Sequence, residues 1–127
     1  MTATCTSSGT VSSTYIFLEE YLPKTPTSVT LLGTGQGSAQ GTIATTAFTS
    51  AADSLLTQYT LCDDGLWGTY TLNGGTSARY ESGHLGGDVR IIYSDGYASS
   101  TSSTLSITTS DGRTGCNTFG AAFQTTQ

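Results

Sequence analysis

The chain has little charge: nine Asp plus Glu and four Lys plus Arg make up 10% of its 127 residues, and the formal net charge is -5. With a pI near 4.3, it has no basic footprint for a phosphate backbone, so no nucleic-acid partner is expected. Long apolar runs are also missing. No stretch approaches the roughly 18 residues of a membrane-spanning helix, and no Lys/Arg-rich amphipathic segment suits a membrane surface. There is one histidine, His84, one tryptophan, Trp67, and two prolines, Pro23 and Pro26.

Cysteine is scarce and odd in number. Cys5, Cys62 and Cys116 allow one intramolecular disulfide and leave one thiol over, with three pairings open. Cys62 with Cys116 is favoured, since each lies beside a Gly/Asp turn at the edge of an expected strand, whereas Cys5 sits in a Ser/Thr lead-in and is either free or the alternative partner. No two cysteines have zinc-ligand spacing and only one imidazole exists, so neither a metal nor any other cofactor is expected.

What the chain has in quantity is hydroxyl: 26 Thr and 17 Ser, a third of all residues, with 16 Gly. Leu, Ile, Val and Phe number 23, just under the roughly 20% below which disorder becomes a concern. Low net charge with seven Tyr, four Phe and a Trp argues instead for a folded β protein, with the hydroxyls on the outward half of alternating strands and Leu, Ile, Tyr and Phe inside.

Residues 1–13 read as a polar lead-in and 14–127 as a single domain. Short alternating runs punctuated by turn residues predict an all-β, antiparallel β-sandwich or β-barrel of eight or nine strands: 14–18, 28–33, 40–48, 55–62, 66–72, 76–81, 88–94, 104–109 and 118–125. The one helix that can be argued is a short stretch at 49–56, which reads equally as a loop entering the next strand. Asp64-Gly65, Asp95-Gly96 and Asp111-Gly112 are expected at turns needing φ > 0, and Gly33-x-Gly35-x-Gly37 reads as a flexible turn.

Around Asn73-Gly74-Gly75 a hairpin can be placed in register, with Leu72 facing Thr76, Tyr70 facing Ala78 and Gly68 facing Tyr80. This sorts Leu66, Tyr70, Leu72, Ala78 and Tyr80 inward, and puts Trp67, Arg79 and Glu81 on the outer side beside Thr69 and Thr71. An exposed indole among polar groups is one way to build a sugar-binding face. Trp67 can equally pack under a loop or against Arg79.

Catalytic motifs are thin. Glu81, His84 and Arg90 bring an acid, an imidazole and a guanidinium to one loop, enough in principle for acid–base work, yet Glu81 and Arg90 suit a surface ion pair equally well. The adjacent carboxylates Asp63-Asp64 point to opposite faces of an extended chain, and no Gly-x-Ser-x-Gly elbow is present. The ligand-binding candidates are therefore Trp67, Arg79, Glu81 and His84, with no catalytic residue assigned.

A Cys near the start, Ser/Thr/Gly-rich strands, low charge and an acidic pI give a chain that resembles, in overall style, the small secreted proteins of filamentous fungi, effectors and elicitors among them. The resemblance implies a secreted, extracellular protein whose signal peptide has been removed and replaced by Met1. It implies a β-sandwich or β-barrel, monomeric or weakly dimeric, acting without catalysis on a host surface receptor or a cell-wall glycan. A carbohydrate-binding module and a small hydrolase using Glu81 and His84 are the competing expectations.

Overall fold

The computed structural model describes residues 28–63, 69–82, 89–110 and 115–126. These form ten strands and no helix: β1 Ser28–Gln40, β2 Thr42–Ala44, β3 Phe48–Thr49, β4 Leu55–Asp63, β5 Tyr70–Asn73, β6 Thr76–Glu81, β7 Val89–Tyr97, β8 Ser102–Ser103, β9 Ser106–Thr109 and β10 Gly115–Thr126. One antiparallel sheet runs β1-β10-β4-β7-β6, a second runs β2-β9-β5, and β3 pairs with β8. The large sheet is open at β1 and β6, so of the two expected architectures the sandwich-like one holds and the closed barrel does not.

Two glycine-permitted corners carry the chain between layers. Gly41 (φ 77°) separates β1 in the large sheet from β2 in the small one, and Gly74 and Gly75 (φ 98° and 91°) separate β5 from β6. The second corner overturns the expected hairpin: β5 bonds to β9 and β6 to β7, so Asn73-Gly74-Gly75 joins strands of different sheets. Alternation gave the right local extension, but a glycine pair suits a crossover between layers as readily as a turn within one. Gly68, Leu66 and Trp67, which completed that register, lie outside the described residues.

The core lies between the layers in two apolar clusters. Ile43, Cys62, Ile92, Ile107 and Cys116 form one, backed by Tyr70 and Leu72; Phe48, Leu56, Ala98, Leu105 and Ala122 form the other, backed by Leu32. Between them runs a buried polar belt. Gln58 Nε2 donates to Thr118 Oγ1 (3.0 Å), Thr76 Oγ1 donates to Gln58 Oε1 (3.1 Å), Ser94 Oγ lies 3.2 Å from Thr76 Oγ1, and Thr60 and Thr118 share a hydroxyl bond of 2.9 Å. The hydroxyls are thus not confined to the outward half of the strands, because cross-strand partners at this spacing satisfy them inside.

Two further expectations change, and for 49–56 the loop reading holds. Residues 49–56 form no helix: the chain turns at Ala51–Ser54, with Asp53 left-handed (φ 63°) and Ser54 Oγ accepting the Ala51 N–H, before Leu55 opens β4. Asp95-Gly96 is not a turn but part of β7, with Gly96 opposite Thr76 and Leu56. The expected strand 40–48 breaks at Thr45–Ala47, where Thr45 exchanges bonds with Leu105 and the Thr46 N–H reaches Gln36 O.

The Gly33-x-Gly35-x-Gly37 segment is likewise strand, not turn. Its glycines share the inner face of β1, and the backbone of 44–49 lies directly on them; a Cβ on Gly37 would fall 1.8 Å from Ala44 O. The Phe48 ring covers Gly35 and Gly120, which are opposed across β1 and β10. The sequence therefore places glycine at alternate positions to let a second layer approach, not to bend the chain.

Candidate functional site

The disulfide is the favoured one, Cys62–Cys116, with Cα atoms 4.1 Å apart. The two residues sit opposite each other on β4 and β10, at the end of the sandwich where β6 stops and β5 and β7 begin. Cys5 lies outside the described residues, as do His84, Trp67, Asp64-Gly65, Asp111-Gly112 and the strand expected at 14–18.

Beside the disulfide, Arg90 stands opposite Cys62 and pairs with Glu81 Oε1, while Tyr70 Oη donates to Glu81 Oε2 at 2.9 Å. The Arg90 guanidinium also lies 5.7 Å from the Tyr70 ring centroid. The ion pair expected between Glu81 and Arg90 is therefore present, and both Glu81 oxygens are engaged. Such a carboxylate is held as an anchor between the two layers.

The structure separates the two candidates of β6. Register runs from Ala78 opposite Ser94 to Tyr80 opposite Tyr93, so Arg79 is an inserted residue, a β-bulge. Consequently Glu81 falls on the inner side with Ile92, while Arg79 bonds through Nε to Asp95 Oδ1 on the outer side. Tyr80, expected inward, is 51% exposed, and Ala78 is exposed at the sheet edge. For Tyr80 the bulge is why: one extra residue reverses the sidedness of everything after it.

With Leu56, Gln58, Thr60 and Cys62 inward, the alternate residues of the large sheet form an outer face. Across it Tyr80, Tyr93, Tyr59 and Phe119 stand opposite one another in turn on β6, β7, β4 and β10. Three strand spacings make this row about 14 Å long. The Tyr59 and Tyr93 ring centroids are 4.8 Å apart at 40°. A second row, Tyr97, Leu55, Phe123 and Leu31, crosses the same four-strand width from β7 to β1, and between the two lie Asp95, Thr57, Ala121 and Thr34. Tyr97 is 70% and Phe119 45% exposed, whereas Tyr93 is enclosed at 3%.

This face holds Arg79 from the expected binding set and adds Tyr59, Tyr80, Tyr93, Tyr97 and Phe119, which sequence reasoning missed or placed inside. One signal could have found it. Apart from Leu32 at the register shift and the disulfide's Cys116, the inward positions across the middle of β1 and β10 are Gly33, Gly35, Gly37, Thr118, Gly120 and Ala122, all small, and small residues mark the face on which backbone lies, leaving Phe119 and Phe123 for the other. Among the described residues no group of three or more His, Cys, Asp or Glu side chains could hold a metal ion, and no helix is long and apolar enough to cross a membrane.

Comparison with protein-family models, with curated proteins and with solved structures found no match. The class of the protein is accordingly defined by fold alone: a disulfide-linked, antiparallel, two-layered β protein with an aromatic outer face.

Proposed function

We propose that this chain is a secreted, non-enzymatic recognition protein of the kind found among fungal effectors and elicitors, presenting the outer face of its large sheet to a host-surface or cell-wall target and inducing a plant defence response. The observation that carries the reading is that face. Tyr80, Tyr97, Phe119 and Leu31, at the ends of its two rows, are all about half exposed or more, and large apolar side chains left exposed on one face are characteristic of interaction surfaces. The cross-strand disulfide supports export, since such bonds persist in oxidising compartments. Purified protein infiltrated into leaf tissue is expected to raise defence markers above those of the heat-unfolded protein, and Phe119→Asp with Tyr97→Asp to abolish the difference. An equal response to native and unfolded protein would overturn the proposal.

A further inference from the structure

Among the described residues, Tyr93 Oη is the buried side-chain polar atom left without a hydrogen-bond partner. This is out of keeping with a fold that pairs the buried side chains of Gln58, Thr60, Thr76, Ser94 and Thr118 across four strands. An unpaired buried hydroxyl costs about 1–3 kcal/mol. It lies, moreover, on the outer face, at the centre of the aromatic row, between Tyr59 and the exposed Tyr80.

We propose that the outer face binds a neutral polysaccharide chain, with a sugar ring lodged against the Tyr80–Tyr93–Tyr59–Phe119 row and a sugar hydroxyl bonding Tyr93 Oη. The proposal rests on the recognition reading and supplies its ligand class. The charge pattern favours neutrality: Arg79 and Asp95, the charged side chains beside the two aromatic rows, are paired with each other. The flanking positions are hydroxyls and amides, with Thr34, Gln36 and Ser38 on β1, Thr57 on β4 and Asn117 on β10. Rings that take the C–H face of a sugar, set among neutral donors and acceptors, match a polyhydroxylated ligand better than a purely apolar one. Tyr80 sits at the sheet edge beside the bulge, opposite Tyr93 and 51% exposed.

The test is calorimetric titration of the full chain with soluble β-1,3-glucan, xyloglucan and chitohexaose. At least one is expected to bind, with Tyr80→Ala and Phe119→Ala each weakening it by about tenfold. Tyr93→Phe is the discriminating variant. It is expected to raise the thermal midpoint, because an unpaired hydroxyl is removed, while affinity falls by about fivefold; a purely structural Tyr93 would move the midpoint and leave affinity unchanged, which overturns its assignment to the ligand. Binding of none of the three glycans overturns the proposal. If leaf responses persist in that case, recognition stands with another ligand; if they are absent too, both readings fall. A sedimentation profile showing a dimer broken by Phe119→Asp, without glycan binding, would assign the face to a second copy instead.

Discussion

A Cβ on Gly37 would meet Ala44 O at 1.8 Å and one on Gly96 would meet Gly75 O at the same distance. Both obstacles are backbone, which cannot rotate aside. Gly37→Ala and Gly96→Ala are therefore each expected to lower stability by about 3 kcal/mol, measured by urea denaturation, whereas Ser38→Ala, exposed on the opposite side of β1, should change it by less than about 0.5 kcal/mol. At this scale the sequence was misleading. Gly33-x-Gly35-x-Gly37 and Asp95-Gly96 have the composition of turns, yet each is strand, because glycine serves close approach of two backbones as well as it serves a positive φ. Among the described glycines only Gly41, Gly74 and Gly75 use that second freedom.

At the scale of the element, the extent of β4 and β6 was legible almost to the residue, and so was the staple that joins β4 to β10. Period-2 alternation reports extension directly. What alternation cannot report is which neighbour a strand takes, or where an extra residue interrupts it, and the pairing of β6 with β7 and the bulge at Arg79 follow from packing. Replacing Cys62 and Cys116 together by Ser opens a closure spanning 54 residues and should cost about 4 kcal/mol on the chain-entropy account, read as a lower urea midpoint than that of the oxidised protein. The polar belt makes a second prediction. Gln58→Leu leaves Thr76 and Ser94 without the carbonyl they share and removes the amide that donates to Thr118, and should cost about 3 kcal/mol. Thr108→Ala, at the exposed Thr42–Thr108 hydroxyl pair, should cost no more than about 0.5 kcal/mol, and a double comparison by thermal denaturation separates buried from exposed hydroxyls.

For the whole molecule, the ordering of the sheets brings distant segments together: Ser28 pairs with Thr126, and Phe123 with Leu55. A topology in which nearly every ladder is non-local folds slowly, so refolding on the time scale of milliseconds to seconds is expected in stopped-flow fluorescence. Binding beside Arg79 and Asp95, which are paired with each other, should also be insensitive to salt. Affinity for a glycan that binds is expected to change by less than about twofold between low and high sodium chloride, because little of it comes from unscreened charge.

The sequence by itself determined the all-β class and most strand positions, and it favoured Cys62 with Cys116 and allowed the Glu81–Arg90 pair, from local alternation and from residues close to turns. The tertiary structure alone decided which face of each strand is inside. Phe119 and Phe123 alternate with Gly120 and Ala122, and a period of two is blind to the difference between a core of large side chains and one of small side chains pressed by backbone. The second layer resolved this by lying directly on the glycines of β1, which turned the aromatics of β10, and with them the row ending in Tyr80, away from the core.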